Sequence, residues 1–390
     1  MPDPLAAATF RRCGRLPWVL TDSKCHIGDR DNATTACAVT SQSGDIKVTF
    51  ELADPPDVSR CFVHCPGLAE GRYGGDPVVV SPGAPSLHLV PSTYRCPDYV
   101  TLAGVVPRAD LNNKDYAVVF PLGSKFRSLY NSTSKICDFL VYHSDISKWP
   151  WRAKSTSITM HTKYHNHHEV IMRHEGTRVI YAGRETLGWV NHWHGIILCN
   201  VLDNNAVMRL IQWPVSIPCD PVSRFGMGVD NIYARPFCDV AISNGVIRFV
   251  ELKPCQRSDT CNDKGVIGQG WTVTAWNRGI RSNKWDKRFT VKADNVPNTG
   301  LSYPKVSGGK RLCWDKVVHG GPTLSLCDDD VVYIMARLDI RPAIAWMLAI
   351  NIREGTLEAV KQCSAEKMLG LEPTYVRCAF SNYLKQWRRS

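Results

Sequence analysis

The 390-residue chain holds no uninterrupted apolar run near the ~20 residues that a membrane-spanning helix needs. Its first 17 residues carry Asp3, Arg11, Arg12 and Arg15 and lack the apolar core of about 7–15 residues that defines a signal peptide. Neither a secretory route nor a membrane partner is expected, which points to an intracellular protein, cytoplasmic or nuclear. The sequons at Asn32 and Asn131 then read as chance matches, because glycosylation needs the secretory lumen. No Cys-x-x-Cys pair occurs among the 16 cysteines; the closest spacings are Cys61-x3-Cys65 and Cys255-x5-Cys261. That excludes zinc-ribbon, RING and thioredoxin-like designs. Several cysteines sit inside apolar runs (Cys137, Cys199, Cys238) and read as buried free thiols acting as small hydrophobes. Also missing are a Gly-x-Ser-x-Gly elbow, a Walker loop, a His-Glu-x-x-His pair and the kinase set. Gly226-Met227-Gly228 lacks the strand-then-helix context of a dinucleotide loop. The 3.6-residue period is equally scarce: only 365–370 reads as a helix, and a short one.

What remains is strands and tight turns. Segment 186–193 is followed by His194-Gly195 and then 196–202; the polar Asp203-Asn204-Asn205 leads into 208–215. Segments 238–243 and 246–252 flank Asn244-Gly245, a strong hairpin signal because both central residues of a type I′ turn need positive φ. The pattern recurs at 271–278 with 287–293, and at 331–338 with 345–352 and 356–360. Upstream, strands are expected at 18–26, 36–40, 45–52, 60–65, 115–121 and 136–143. The Gly-, Pro- and Ser-rich stretch 66–113 reads as loops around short strands at 77–80 and 86–90. Long connections are expected at 152–168, 219–235 and 296–309, and residues 1–14 read as a disordered tail.

Alternation is weak in Val246-Ile247-Arg248-Phe249-Val250 and in Val331-Val332-Tyr333-Ile334-Met335. A sheet wetted on one face should alternate, whereas a sheet stacked on neighbours at both faces should not. The expectation is therefore an all-β, β-propeller-like array of antiparallel sheets over 15–390, favoured over paired sandwiches. Trp149, Trp213 and Trp285, spaced by 64 and 72 residues, are candidate repeat landmarks.

Specific strings carry a family resemblance. Trp18-Val19-Leu20-Thr21-Asp22, Val63-His64-Cys65-Pro66-Gly67, and Trp189-Val190-Asn191 running through Gly195-Ile196-Ile197-Leu198-Cys199-Asn200 are among them. So are Asp239-Val240-Ala241-Ile242, Gly245-Val246-Ile247-Arg248-Phe249-Val250-Glu251, Gly321-Pro322-Thr323-Leu324-Ser325-Leu326 and Asp328-Asp329-Asp330-Val331-Val332-Tyr333. Together they resemble a plant family, expanded in grasses, known as domain of unknown function 1618 (DUF1618), whose core would lie at about 187–330. The resemblance implies a propeller akin to F-box-associated repeats and transfers no catalytic residues.

Chemistry-bearing clusters are few. His161, His165, His167, His168, Glu169 and His174 form a histidine-rich segment, read as a solvated loop because no spacing elsewhere completes a metal site. His192-Trp193-His194 could line a pocket but reads first as turn chemistry, with Trp193 packing and Gly195 supplying backbone freedom. Asp328-Asp329-Asp330 lacks a calcium-loop spacing and reads as a charged turn. Trp149, Trp151, Trp271, Trp276 and Trp314 could stack bases if exposed and otherwise pack blades. The net charge of +11 concentrates at 248–311, where 13 Lys/Arg face 5 Asp/Glu. Solvated hairpin faces account for that excess more simply than a polyanion partner does.

No catalytic, cofactor-binding or metal-ligating residue is assigned, and no cofactor. The leading expectation is a monomeric, non-enzymatic protein-interaction module whose loops dock an unidentified protein partner. No F-box-like helical segment is visible, so an adaptor role would need a separate subunit. Two alternatives stand beside it: a hydrolase or lyase with its site in the propeller channel, and a nucleic-acid binder using 248–311. Carboxylates or histidines converging on the axis would favour the first.

Overall fold

In the computed structural model, the structure describes residues 18–22, 24–39, 44–66, 103–107, 115–121, 136–146, 151–158, 177–217, 237–254, 270–296, 318–337, 344–364 and 375–378. The first five strands are β1 (Val19–Asp22), β2 (His26–Ile27), β3 (Ala36–Val39), β4 (Asp45–Glu51) and β5 (Val58–His64). Next come β6 (Gly104–Pro107), β7 (Tyr116–Pro121), β8 (Ile136–His143) and β9 (Trp151–Ile158), then β10 (Arg178–Gly183), β11 (Thr186–Asn191), β12 (Gly195–Asn200) and β13 (Val207–Gln212). A further meander runs β14 (Cys238–Ser243), β15 (Val246–Pro254), β16 (Trp271–Gly279) and β17 (Asp286–Lys292). The last strands are β18 (Val318–Leu324), β19 (Val331–Arg337), β20 (Ile344–Asn351), β21 (Thr356–Ser364) and β22 (Tyr375–Cys378). The helical content among the described residues is one 3₁₀ turn at Ala293–Asn295.

These strands form five blades in a ring, a five-bladed β-propeller. Blades two to five are the consecutive meanders β6–β9, β10–β13, β14–β17 and β18–β21. The first blade is composite, in the order β22-β1-β5-β4-β3. Its innermost strand is the C-terminal β22, pairing antiparallel with the N-terminal β1 from Val19↔Cys378 to Asp22↔Tyr375, so the two ends of the chain close the ring together. Tyr375 reinforces the closure by donating its hydroxyl to Gly321 O on β18, at 3.2 Å. Three pairings depart from the antiparallel rule. β1 and β2 run parallel to β5, and the outer strands β9 and β13 pair in parallel through Val207↔Ser157 and Met208↔Ile158.

Weak alternation has the cause the sequence suggested. On β19, Val332, Ile334 and Ala336 enter the core shared by blades four and five, while Val331 and Tyr333 enter the core between blades five and one. On β15, Val250 and Leu252 face blade five, while Ile247 and Phe249 face blade three. Leu187 and Trp189 on β11 likewise turn toward blade two, with Val190 on the opposite side toward blade four. Burying both faces removes the wet side whose polar residues would mark alternation. The core is thus a series of inter-blade layers, and side chains such as Trp189, Trp271 and Phe249 are almost fully buried in them.

The Asn244-Gly245 hairpin forms as expected, with φ of 50° and 73° at its two turn residues. Gly195 is required for a different reason: a Cβ there would lie 2.2 Å from Ile211 O, because β13 passes directly beside the turn.

Several sequence expectations are corrected. Segment 152–168, expected as a long connection, holds β9 at Trp151–Ile158, which pairs with β8 over seven residues of register from Ile136↔Ser157 to Tyr142↔Trp151. Thr156, Ser157 and Ile158 make a β-rich run that fits an outer strand. The strand-poor reading of 66–113 overlooked β6, while 77–80 and 86–90 fall outside the described residues, as do the helix at 365–370 and the tail at 1–14. Trp213 and Trp285 are not equivalent landmarks. Trp213 follows the outermost strand of blade three and Trp285 precedes that of blade four; their rings meet edge to face at 6.4 Å across the seam. Trp149 lies outside the described residues.

Candidate functional site at the propeller axis

The innermost strands of the five blades are β22, β6, β10, β14 and β18, and they converge on the axis. Asp239, the second residue of β14, sits there with 2% of its surface exposed. Arg178 from β10 donates Nη2 to Asp239 Oδ1 at 2.9 Å. Arg377 from β22 engages both oxygens, with Nη2 to Oδ1 at 3.2 Å and Nη1 to Oδ2 at 3.0 Å. The backbone N–H of Leu324, at the end of β18, donates to Oδ2 at 2.9 Å. One carboxylate therefore joins the inner strands of blades three, four, five and one. Blade one is not a ring neighbour of blade four, so the Asp239–Arg377 contact crosses the axis.

The arginines are shared out further. Arg178 Nη2 also donates to Val240 O at 2.7 Å, and Arg377 donates to the same carbonyl and to Leu324 O. Burial by itself would raise the Asp239 carboxyl, but the Arg377 and Arg178 charges and the Leu324 amide outweigh it and hold Asp239 below the usual carboxylate range. Two guanidiniums face one carboxylate, so the cluster carries more positive charge than it neutralises. Arg178 Nε has no hydrogen-bond partner among the described residues.

His192 lies beside this cluster. Its Nδ1 is 2.7 Å from Thr177 Oγ1, and its carbonyl accepts from the Cys238 thiol at 3.3 Å. The turn itself is closed by Asn191, whose Oδ1 accepts the N–H groups of Trp193 and His194 at 2.9 and 3.1 Å. His192 is thus buried next to the axis, His194 is exposed, and Trp193 packs against the core between blades three and four. Burial of Cys238, next to Asp239 and Glu251, pushes its thiol well above the ordinary range and keeps it protonated.

Asp328-Asp329-Asp330 forms the turn between β18 and β19. Asp328 Oδ1 accepts the Asp330 N–H at 3.0 Å, while Asp329 pairs with the buried Arg248 of blade four at 2.8 Å and Asp330 with Arg353 at 2.8 Å. Arg248 adds a hydrogen bond to Ser325 O at 2.7 Å, so this turn bolts blade five to blade four. A comparable bolt, Lys154 to Val201 O at 2.9 Å, ties blade two to blade three.

The remaining candidates separate cleanly. The histidine-rich cluster His161, His165, His167, His168, Glu169 and His174 lies outside the described residues, as do Cys255, Cys261, Trp314 and Gly226-Met227-Gly228. Among the described residues no group of three or more His, Cys, Asp or Glu side chains could hold a metal ion. Cys25, Cys61, Cys65, Cys199 and Cys238 are buried, as expected, whereas Cys37 and Cys327 are exposed. Trp271 and Trp276 are buried and unavailable for base stacking. Spacing could not have found the axial cluster, since 61 and 138 positions separate Asp239 from its partners. The available signal was a carboxylate interrupting the apolar run Cys238-Asp239-Val240-Ala241-Ile242.

Residues 189–333 match the model of a family described as Protein of unknown function (DUF1618). Over that segment the chain is similar to DUF1618. No curated protein matches the chain. The DUF1618 segment begins inside β11 and ends inside β19, so it spans the outer strands of blade three, all of blade four and the opening hairpin of blade five. It contains Asp239 and Arg248, while both axial partners of Asp239, Arg178 and Arg377, lie outside it. The matched segment is therefore a portion of a ring that the flanking sequence completes.

Proposed function

We propose that this protein is a non-enzymatic interaction platform that works as a monomer inside a plant cell and docks a protein partner on the loops around its rim. The observation that carries this reading is the commitment of the axis. Both oxygens of Asp239 are taken by two guanidiniums and a backbone amide, which leaves its carboxylate no lone pair or proton for general acid-base work. Charged side chains at other blade junctions, Lys154 and Arg248 among them, also serve the ring. A rigid β scaffold with its chemistry spent internally offers its loops for recognition. The burial of Cys25, Cys61, Cys65, Cys199 and Cys238 as thiols among the described residues fits a reducing compartment.

The rival reading, a hydrolase or lyase in the channel, draws on the convergence of Asp239 and His192 near the axis. The test separates the two. Immobilised full-length protein, incubated with an extract of the source tissue, is expected to retain one protein reproducibly, and that protein made recombinantly should bind directly with micromolar affinity or better. Ester, glycoside and phosphoester panels should show no turnover above buffer. Turnover that Asp239→Asn abolishes while the variant still unfolds cooperatively, or failure of every retained protein to bind directly, overturns the proposal.

A further inference from the structure

A cluster of cations without a carboxylate partner among the described residues lies at the seam between blades three and four. Arg209 on β13 donates across the seam to Ile280 O, and Arg278 on β16 donates Nε to Ser282 O at 2.8 Å. Both guanidiniums are thereby anchored to carbonyls of one tight turn, closed by the Ser282 N–H on Gly279 O at 2.8 Å, and Arg281 projects exposed from that same turn. Lys284 follows, also exposed. Among the described residues, no carboxylate lies within 4.0 Å of Arg209, Arg278, Arg281 or Lys284. The arginines are close enough to oppose one another's charge: burial first, then Arg281, disfavours the charged form of Arg209, and burial, then Arg209, that of Arg278.

Edge protection explains the neighbouring basic residues, and the seam hydrogen bonds of Arg209 and Arg278 tie the turn in place, but neither supplies these cations with a counter-charge. Lys287, Arg288 and Lys292 lie on β17, the outer edge of blade four, where cations deter edge-to-edge pairing. Arg209, Arg278 and Arg281 surround a turn at the end of the blade, where no edge needs guarding. Holding guanidiniums together without a counter-ion is unfavourable in the free protein and favourable only when an anion completes the set. Fixed guanidinium forks suit the tetrahedral, doubly charged phosphate group better than a point-like ammonium would.

We propose that the Arg209–Arg278–Arg281 cluster is a phosphate-recognition site that docks a phosphorylated serine or threonine, flanked by acidic residues, on the protein partner. The inference rests on the interaction-platform reading and names the chemistry of its partner. The aromatic neighbour decides against a nucleic acid. Trp285 has the Arg278 guanidinium 5.7 Å from its ring centroid, packs against Trp213 and Phe249, and donates Nε1 to Gln212 O at 2.9 Å, so it is committed to the seam rather than to stacking bases. The Lys287 and Lys292 charges along β17 would meet acidic residues flanking the phosphate.

The test uses full-length protein and fluorescence anisotropy with a labelled acidic peptide carrying one phosphoserine, the same peptide with unmodified serine, inorganic phosphate as competitor, and a 20-nucleotide single-stranded oligonucleotide. The phosphopeptide should bind at least about tenfold tighter than its unmodified form, reflecting new charge-assisted hydrogen bonds. Arg281→Met, at an exposed turn position that no hydrogen bond needs, and Arg278→Met should each remove most of that difference, with Arg281→Lys restoring part of it. Equal binding of the two peptides, an undiminished preference in both Met variants, or an oligonucleotide bound more tightly than the phosphopeptide through the same arginines overturns the assignment. The captured partner separates this failure from that of the platform. If it binds wild type and Arg281→Met equally, before and after phosphatase treatment, the platform stands and the phosphate site falls.

Discussion

Replacing Asp239 by Asn keeps the shape of the side chain and deletes the one negative charge that two axial arginines share. Arg377 is 6% exposed and Arg178 16% exposed, so neither guanidinium can recover full hydration when its partner goes. Removing one member of a buried ion pair costs about 3–5 kcal/mol, most of it the penalty of the charge left behind. Here the penalty falls on two like charges that already share the Val240 carbonyl. Against a total stability on the order of 5–15 kcal/mol, that is a large fraction. Urea unfolding followed by tryptophan fluorescence reads it directly, since Trp189 and Trp271 are almost wholly buried. With a slope of about 3 kcal/mol per molar urea, the midpoint should fall by about 1–1.7 M. The sign with pH follows from the lowered carboxyl of Asp239. Its contribution is complete above the unfolded carboxylate value of about 3.9 and drains away as pH falls through the lower folded value, so stability rises with pH across that window. The gap between wild type and Asp239→Asn should therefore be full at pH 7 and shrink below about pH 4. A companion variant, Asp239→Leu with Arg178→Met and Arg377→Met, removes all three charges and should recover most of the loss. A single variant that loses less than about 1 kcal/mol, or a triple variant as unstable as the single one, refutes the axial-crosslink reasoning.

Two glycines in comparable hairpins should respond differently to alanine. Gly195→Ala places a Cβ 2.2 Å from Ile211 O and should cost more than about 2 kcal/mol by chemical denaturation, whereas Gly245→Ala meets open space and should cost about 1 kcal/mol for its φ of 73°. Trp213→Ala removes a ring stacked 4.8 Å from Phe249 and hydrogen-bonded to Asn191 O and His192 O; it should cost about 3–5 kcal/mol and loosen the seam between blades three and four. Among the described cysteines, peptide-mapped thiol alkylation at pH 8 should modify Cys37 and Cys327 first. Cys363, its thiol pushed up to about 12 by burial, and the fully buried Cys238 should react only on unfolding.

The strands legible in the sequence and those missed divide by position in the blade. The hairpins read from turn signals are mostly second, third and fourth strands, such as β11–β13, β15–β17 and β19–β21, whose residues fill the layers between blades. Among the innermost strands the turn signals mark only β14, and leave β6, β10, β18 and β22 unmarked. Five backbones crowd together at the axis, so inner strands carry residues the axis needs: Arg178 on β10, His319, Gly320 and Gly321 on β18, Arg377 on β22. Those residues interrupt the apolar pattern on which strand recognition depends. Of the inner strands, β14 was recognised because Asn244-Gly245 fixed its end and the apolar run tolerated one carboxylate.

The same cause hid the axial site. A cluster assembled from the inner strands of non-adjacent blades has no fixed spacing along the chain, so motif spacing carries no trace of it. What the sequence did show was two charged residues inside otherwise apolar strands, Asp239 and Arg248, and both prove to be buried ion-pair members joining blades. A charge within a strand buried on both faces costs too much to persist unpaired. For Asp239 and Arg248 the partner of opposite charge lies on another blade, so here an interrupted apolar strand marks an inter-blade tie. Arg337, buried at 1% exposure on β19, offers a test of that rule, whereas the buried Glu251 on β15 pairs with Lys253 of its own strand at 3.0 Å. Arg337→Met should then be tolerated far less well than Arg288→Met on the exposed β17, with melting temperature as the measure; equal melting temperatures would show that buried charge in these strands is incidental to holding the ring closed.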